Sequence, residues 1–365
     1  MSEINFMHEN VNNYMTSKKT THPATIYDVA QKSKVSIATV SRVLNKKDSL
    51  VTEKTRLLVL QAIKDLRFKP NLSARRLVNN RTNLIEIFFH VNNFPLNFKN
   101  DWYNGILVGA TQVIQKNNMG LLINFLIGIP NPQEIVDRIF HNNVDGVLII
   151  APSLEEKHLL ELSRQSTPIV MVGHRAQNPE ISFVDTNNIE ASENATEHLI
   201  GLGHKKIACL AGPTHNIQNA KDRLEGFQKA MSKHNLFVPK NFTVSSEEFI
   251  QKNGYDEMKK LLKLSEKPTA VYCCNDMLAM GAWDAVVEAG LKVGKDISLI
   301  GYDDIPAVST EPYSLTTIRQ DVEGLSAAAT RLLISQIKSP EGFTPSQQYE
   351  PTQLIVRSST GPAPK

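Results

Sequence analysis

Near the N-terminus, apolar and polar residues alternate at helical spacing in two short stretches, residues 25–30 and 35–45. The pattern predicts two short helices joined by a tight turn, with inward-facing Val29, Ala30, Val40, Val43 and Leu44. Ser36 is placed to cap the second helix, whose outer surface then carries Ile37, Ala38, Thr39, Ser41, Arg42 and Asn45. Such a small, polar, arginine-bearing face can enter a DNA major groove, although a helical hairpin of any small domain shows the same pattern.

A third helix is predicted from an N-cap at Thr52 to about Leu66, and its buried stripe is Leu57, Leu60, Ile63 and Leu66. Pro70 ends the helix, because the residue before a proline disfavours the α region. Residues 71–77 are too few to form a stable helix alone.

From Leu84 onward, apolar runs alternate with amphipathic stretches, which predicts two successive doubly wound α/β units. The predicted strands are residues 84–89, 121–125, 146–151, 169–172, 183–185, 206–211, 270–273 and 297–301. The helical stretches between them include residues 102–117, 187–201, 223–234 and 277–289.

Charge separates the same two regions. Residues 18–82 carry 15 Lys and Arg against 4 Asp and Glu, a net charge of +11, whereas the whole chain carries +3 and its remainder therefore −8. A basic end on an acidic protein indicates nucleic-acid binding, with a plain solvated basic face as the alternative. Three cysteines without scaffold spacing and a polar N-terminus without an apolar core indicate a cytoplasmic protein.

Sequence signatures of catalysis and of metal binding are not found. The stretch 290–296 has three residues between its glycines and ends in Asp, so it fails the phosphate-loop pattern. No Gly-x-Ser-x-Gly motif occurs, and the ten histidines show no metal-ligand spacing. We therefore expect a protein that is not an enzyme and has neither a metal nor a cofactor.

Motifs along nearly the whole chain resemble the LacI/GalR family of bacterial transcription regulators. They begin with residues 25–45 and Pro70-Asn71-Leu72-Ser73-Ala74-Arg75-Arg76-Leu77. In order, the others are Gly203-His204-Lys205-Lys206-Ile207, Arg223-Leu224-Glu225-Gly226-Phe227, Pro268-Thr269-Ala270, Asn275-Asp276, Ile297-Ser298-Leu299-Ile300-Gly301-Tyr302-Asp303 and Leu315-Thr316-Thr317-Ile318.

This resemblance implies an all-α helix-turn-helix headpiece followed by a periplasmic-binding-protein-like α/β core of two doubly wound lobes. The expected divisions are a disordered extension (1–22), the headpiece (23–69), a hinge (70–82) and an effector-binding and dimerisation domain (83–365). Lobe 1 takes about 83–184 and 319–346, and lobe 2 about 185–318 and 347–360, with crossings near Asp185, Ile318 and Ser346.

The resemblance also implies contacts to a roughly palindromic operator by a homodimer. Ile37, Ala38 and Arg42 are expected to read bases, and Tyr27, Ser36, Ser41 and Asn45 mainly to bind phosphates, with Thr39 on the same face. The hinge adds Asn71, Ala74 and Leu77, of which Leu77 corresponds to the residue that wedges into the minor groove. Without DNA the hinge is expected to be a plain linker.

Open α/β sheets bind ligands at the carboxyl ends of their strands, where Asp185, Asn275 and Asp303 stand. Arg223, at an expected helix start, can hold vicinal hydroxyls, while Trp102, Tyr103 and Phe249 supply flat apolar faces. The resemblance puts all seven on or near effector contacts. Asp276 and Asp303 could instead cap helices, and Tyr103 could belong to the core.

Two departures from the family pattern bear on the ligand: His174 stands where an acidic residue is frequent, and Ile217 and Asn219 occupy a loop that is polar or basic in purine-responsive relatives. A third departure, Glu86 in place of a glycine in the first lobe strand, has no physical explanation from the sequence. A sugar or sugar derivative is the favoured effector, and a nucleobase is the alternative. A solute-binding protein and a sugar-processing enzyme remain as rivals from other classes.

Overall fold

The computed structural model describes residues 24–44, 51–68, 81–91, 101–127, 132–142, 144–215, 217–339 and 344–365. They fall into two compact units that divide between Thr82 and Asn83. No helix among them is long and apolar enough to cross a membrane.

The N-terminal unit contains three helices, α1 (Ile26–Ser33), α2 (Ile37–Leu44) and α3 (Glu53–Asp65). The three caps follow from hydroxyl side chains: Thr25 forms a capping box with Asp28, the Ser36 hydroxyl accepts from Thr39 N at 3.2 Å, and the Thr52 hydroxyl accepts from Thr55 N at 3.3 Å. The predicted caps Ser36 and Thr52 are thereby confirmed.

The predicted stripe of α3 is partly wrong. Leu57 and Leu60 are 57% and 41% exposed, and the helix buries Val59 and Ala62 instead, with Ile63 and Leu66 half-buried. The small side chains let α3 approach α1 and α2 closely, so that Val59 and Ala62 join the core of the unit formed by Val29, Ala30, Val40, Val43 and Phe68.

In the second unit, lobe 1 is a six-stranded parallel sheet in the order β2-β1-β3-β4-β5-β11. Its strands are β1 (Leu84–Val91), β2 (Gly120–Ile127), β3 (Gly146–Ile150), β4 (Ile169–Val172), β5 (Phe183–Thr186) and β11 (Gln347–Glu350). Helices α4 (Asp101–Lys116) and α11 (Val322–Lys338) cover one face, and α5 (Pro132–Asn142) and α6 (Glu156–Ser163) the other.

Lobe 2 repeats the architecture with the order β7-β6-β8-β9-β10-β12, in which only the β10–β12 pair is antiparallel. The strands are β6 (Ile207–Gly212), β7 (Thr243–Ser245), β8 (Ala270–Cys273), β9 (Ser298–Asp303), β10 (Thr316–Gln320) and β12 (Thr352–Ile355). Helices α7 (Asn188–Gly201) and α8 (Gln218–Lys233) pack on one face, and α9 (Gln251–Leu262) and α10 (Asp276–Glu288) on the other.

The chain crosses between the lobes after Thr186, after Gln320 and at Pro351. The third crossing is therefore later than the expected position at Ser346, because Gln347–Glu350 pair with Phe183–Thr186 in the sheet of lobe 1. The first and second crossings lie within two residues of Asp185 and Ile318.

Glu86 and the three cysteines lie inside the two lobes. Glu86 is fully buried in β1, where its Oε1 accepts a hydrogen bond from Asn124 Nδ2 of β2 at 3.2 Å. Cys209, Cys273 and Cys274 are buried free thiols of lobe 2.

The closest helix pairs meet at glycines. A Cβ at Gly281 of α10 would collide with the backbone carbonyl of Gln251 in α9, and one at Gly254 of α9 with the carbonyl of Leu278. By contrast, Gly201 at the end of α7 has open space around it. The absence of a side chain at Gly281 therefore allows α9 and α10 to pack.

We predict that Gly281→Ala lowers the free energy of unfolding by about 1–3 kcal/mol, because α10 must move away from α9. Gly201→Ala, the matched control, should be neutral or stabilise by up to about 1 kcal/mol. Urea denaturation followed by circular dichroism measures both, and equal stabilities of the two variants would contradict the close approach.

Candidate functional site

The outer surface of the N-terminal unit carries the predicted DNA-reading side chains. Tyr27 on α1 is 69% exposed, and Ile37 at the start of α2 is 39% exposed. Ser36, Ala38 and Arg42 are also exposed, whereas Thr39 and Ser41 of α2 are half-buried. The Ser36 and Thr39 hydroxyls lie 2.9 Å apart, so that the N-cap also holds Thr39. Asn45, Asn71, Ala74 and Leu77 lie outside the described residues and stay predictions.

The described acidic residues of this unit are bound to groups other than Arg42. Asp28 is occupied by the Thr25 cap, Glu53 by Arg56 on α3, and Asp65 by Lys32 at 3.1 Å. Arg42 has no ion-pair or hydrogen-bond partner within the described part of the chain. The Arg42 side chain is exposed.

In the second unit, the strand ends and helix starts named from the sequence meet at the cleft between the lobes. Arg223 lies in the second turn of α8, which begins at Gln218, so its expected position at the helix start is wrong. The Arg223 side chain is 4% exposed and contacts several groups of the protein.

The Arg223 guanidinium ties together three segments of lobe 2. Nε donates to Asn188 Oδ1 at 2.8 Å and Nη1 to the carbonyl of Cys274 at 2.6 Å, while Asp303 Oδ1 lies 3.6 Å from Nη1. The guanidinium also stacks on the Tyr302 ring, 3.6 Å from its centroid. Its Nη2 makes no hydrogen bond to any described residue.

Asp303 ends β9 with a left-handed backbone (φ 120°), and so does Asp304 (φ 58°). Asp304 is fixed by two arginines, with Arg319 Nε at 2.6 Å and Arg357 Nη2 at 2.7 Å from its carboxylate. Asp303 Oδ1 accepts from Gln320 Nε2 at 2.6 Å. Burial raises the pKa of Asp303 to about 6, against the opposing effect of Arg223.

The two suggested helix-capping roles are not what the structure shows. Asn275, and not Asp276, is the N-cap of α10, with its Oδ1 accepting from Leu278 N at 2.9 Å. Asp276 is fully buried and accepts hydrogen bonds from Thr317 Oγ1 and Ile305 N. Asp303 belongs to β9, and Asn275 keeps its Nδ2 without a partner among described residues.

Asp185 is 1% exposed and connected to the Arg223 cluster. Its Oδ1 accepts from Thr186 N at 2.7 Å and from Asn188 Nδ2 at 3.2 Å, and Asn188 in turn binds Arg223. Its Oδ2 is buried without a hydrogen-bond partner in the described structure. Burial raises the pKa of Asp185 to about 7, although the Thr186 amide and Arg223 act in the opposite direction.

Among the described residues, an ion pair joins the two lobes across the cleft. Arg175, just after β4 of lobe 1, binds Asp222 of α8 in lobe 2 through both Nε (2.8 Å) and Nη2 (2.7 Å). Gln218 Nε2 adds a third donor to Asp222 at 2.7 Å. The neighbouring His174 is 5% exposed, and burial lowers its pKa to about 4, so it is neutral at pH 7.

Two aromatic rings of the predicted set lie on glycines at the cleft. Trp102, at the start of α4, contacts Gly173 (φ +64°), where a Cβ would lie 3.1 Å from the indole. Phe249 packs against Gly212 (φ +70°), where a Cβ would collide with the ring. Both glycines thus permit a close approach that another residue would prevent.

Tyr103 belongs at least as much to the core as to the cleft. Its ring packs edge-on against Phe89 of β1, with 5.5 Å between centroids, and against Trp102 at the same distance. Burial, with a smaller contribution from Glu248 of lobe 2, raises the pKa of Tyr103. This packing therefore supports the alternative interpretation that Tyr103 is a core residue.

Sequence reasoning missed the polar residues that support this cleft: Asn188, Asp222 and Asp304. Asp222 directly precedes Arg223, and Asp304 directly follows Asp303. Their partners are distant in the sequence: Arg175 is 47 residues from Asp222, and Arg357 and Arg319 are 53 and 15 residues from Asp304. The described residues include no group of three or more His, Cys, Asp or Glu that could hold a metal ion.

Comparison with known proteins agrees with both units. The family model for bacterial regulatory proteins of the lacI family matches residues 25–71, and that for a periplasmic binding protein-like domain matches residues 196–360. The HTH-type transcriptional repressor PurR of Haemophilus influenzae (strain PittEE) is 34% identical over 92% of this chain and 98% of its own length.

Two solved structures extend the likeness to three dimensions. The lac repressor dimer bound to operator and the anti-inducer ONPF has a TM-score of 0.81 at 27% identity, covering 93% of this chain and all of that one. The complex of the transcriptional regulator CelR with cellobiose has a TM-score of 0.68 at 28% identity, covering 92% and 99%.

The chain therefore belongs to the LacI family of bacterial regulatory proteins. It is a DNA-binding transcriptional repressor and not an enzyme. The predicted fold, a helix-turn-helix headpiece with a two-lobed α/β core, is confirmed.

The raised pKa of Asp185 makes the stability of the folded protein depend on pH. Because its folded pKa, about 7, exceeds the value of about 3.9 in an unfolded chain, the folded state binds the proton more tightly between these pH values. The free energy of unfolding should therefore fall as pH rises from 4 to 8, with a contribution from Asp185 on the order of 4 kcal/mol.

Asp185→Asn cannot ionise and should remove that part of the pH dependence, so that it stabilises the protein more at pH 8 than at pH 5. Urea denaturation at both pH values measures the difference. Asp256→Asn, which alters an exposed carboxylate of α9, is the control and should keep the wild-type pH dependence. Parallel pH profiles for wild type and Asp185→Asn would show that Asp185 is not a buried, proton-binding group.

Proposed function

We propose that this repressor binds a pseudo-palindromic operator as a homodimer in the cytoplasm and that a sugar or sugar derivative in the cleft between its lobes controls operator affinity. The observation that carries the proposal is the Arg223 cluster. A buried arginine, held by Asn188 and the Cys274 carbonyl, keeps Nη2 for a ligand. Asn275 Nδ2 and Asp303 add a donor and an acceptor.

This combination suits a sugar, because vicinal hydroxyls both donate and accept hydrogen bonds while the ring presents an apolar face. Trp102 and Phe249 would contact that face, one from each lobe. The similarity to a regulator solved with cellobiose supports the same ligand class. The dimeric lac repressor bound to operator supports the homodimer and the operator.

A nucleobase is the second candidate, and the observation that favours it is the 34% identity to repressors named PurR. A flat base could stack on the same two rings. Against it stands Ile217 at the N-cap of α8, an apolar residue that offers no hydrogen bond to a base edge.

The assignment of operator contacts predicts that Arg42→Ala costs about 1–3 kcal/mol of specific binding and relaxes the preference at one base pair per half-site. Arg56→Ala removes the same charge from α3 and should weaken binding to all DNA sequences to a similar extent. Selection of bound sequences from a random DNA pool, followed by titration of the selected site, separates the two effects. If Arg42→Ala weakens binding to all DNA sequences uniformly, Arg42 does not read bases.

The assignment of the cleft predicts that Arg223→Ala abolishes the response to effector while operator binding persists. The lost charge-assisted hydrogen bonds are each worth about 1.5–3 kcal/mol. Calorimetry with a panel of sugars and nucleobases identifies the ligand on the wild-type protein and then measures its affinity for the variant. Arg223→Lys keeps the buried charge and is the second variant in case Arg223→Ala does not fold. Operator binding by either variant shows that its headpiece is intact.

An Arg223→Ala protein that binds the identified effector with wild-type affinity would overturn the cleft assignment. A nucleobase that binds the wild type while every sugar fails would replace the sugar by the second candidate.

A further inference from the structure

Helix α3 of the N-terminal unit is apolar on its outer side as well as on the side that it buries. Leu57, Leu58 and Leu60 are 57%, 51% and 41% exposed, whereas Val59 and Ala62 belong to the core of the unit. A helix that is apolar all round is normally covered by further structure, and a cluster of exposed apolar side chains marks a binding surface. The three leucines therefore indicate a docking surface on the outer side of α3.

The charge on this side of α3 indicates what kind of segment covers it. Lys54 and Lys64 are exposed and lie within about 60° of Leu57 around the helix. Two copies of α3 packed leucine to leucine would bring these lysines together, and like charges repel. An apolar segment that carries acidic and no basic side chains fits the surface better than a second copy of α3.

The segment before the headpiece has these properties. Residues 1–15 contain two acidic residues, Glu3 and Glu9, and no Lys or Arg, a net charge of −2. The lacI family model matches from residue 25, so this segment is an addition to the headpiece that the family shares. At about 100° per residue, five of its apolar side chains fall within an arc of about 100°: Ile4, Met7, Val11, Tyr14 and Met15.

The connection to the headpiece is long enough for the segment to reach α3 of the same chain. Residues 16–23 span up to about 26–29 Å when extended. They join the described chain at Ala24, which packs with Ile26 against the same core as α3. A helix is about 10–12 Å across, so the outer side of α3 is within reach. The lengths also match, because residues 4–15 would form a helix of about 18 Å and the 13 residues of α3 extend about 20 Å.

We propose that residues 4–15 dock as an amphipathic helix on the outer side of α3 in the same chain. Met7 and Val11 contact Leu57 and Leu60, and the acidic side chains of the segment lie beside the lysines of α3. A segment that is disordered alone can fold on such a surface, because the apolar contacts offset the loss of conformational entropy. The outer surface of α2, which carries the predicted DNA-reading side chains, is not part of this contact.

The test is disulfide formation in the full-length protein with one new cysteine in each segment. Val11→Cys combined with Leu57→Cys places both thiols in the proposed contact. Asn13→Cys combined with Leu57→Cys is the matched control, because residue 13 is two positions away in the chain but about 160° away around the helix. The three native cysteines are buried. Oxidised glutathione is the oxidant, and mass spectrometry of tryptic peptides quantifies the cross-link.

We expect the Val11→Cys pair to form its disulfide within one chain at least about tenfold faster than the Asn13→Cys pair. Docking raises the effective concentration of the first thiol at residue 57 and holds the second thiol away from it, whereas a flexible tether would treat the two alike.

A second measurement uses the protein with its native Leu57. Val11→Asp puts a charge into the apolar stripe and should release the segment, so that amide hydrogen exchange in residues 53–65 becomes about tenfold faster. Asn13→Asp adds the same charge on the polar side of the segment and should exchange as the wild type does. Operator binding by each variant establishes that its headpiece is folded.

Equal rates of disulfide formation in the two cysteine pairs would show that the segment is only tethered and would overturn the inference. A disulfide between chains, seen as a species of twice the mass whose yield rises with protein concentration, would overturn docking within one chain and assign the surface to a second copy. Unchanged hydrogen exchange in Val11→Asp would overturn the role of the apolar stripe.

Discussion

The buried guanidinium of Arg223 is the interaction on which the cleft depends. It draws together the start of α7 through Asn188, the end of β8 through the Cys274 carbonyl and the end of β9 through Asp303, with Tyr302 beneath it. These are carboxyl ends of neighbouring strands, where an open α/β sheet leaves its crevice. A cation buried this deeply persists only because each of these groups compensates its desolvation. Because the buried charge of Arg223 requires polar groups around it, the edge of the cleft next to Arg223 is polar.

The two lobes are already in contact across the cleft. Arg175 of lobe 1 holds Asp222 of α8 in lobe 2, and Asp222 adjoins Arg223 on that helix. If Arg223 binds the effector as we propose, the neighbouring interlobe ion pair gives that ligand a direct way to favour one arrangement of the lobes. A ligand changes operator affinity only to the extent that it binds the two arrangements differently. The proposed ligand contacts on both sides of the cleft, with Trp102 of lobe 1 and Phe249 of lobe 2, would produce such a difference.

Local signals in the sequence were sufficient for the helices of the N-terminal unit and for eight strands, whereas β7, β10, β11 and β12 were not predicted. The caps at Ser36 and Thr52 were predicted because a hydroxyl side chain bonds an amide three residues on, and apolar runs marked eight strands. The exposed Leu57 and Leu60 were misassigned, because helical spacing leaves the choice of buried face to the packing of α1 and α2. Strand β11 was missed because its residues alternate between exposed and half-buried, and its pairing with β5 is decided 160 residues away in the chain.

The same limit applies to the site. Asp185, Asn275 and Asp303 were predicted from their position after apolar strands, but the partners of Arg223 lie 35 to 80 residues from it in the sequence. The most direct test of the account is the operator affinity measured with and without a ligand that calorimetry shows to saturate the cleft. If the ligand in the cleft controls the operator, the operator affinity changes by about 5–150-fold, and the affinity for the ligand changes by the same factor in the presence of operator. An unchanged operator affinity at full occupancy of the cleft would contradict it.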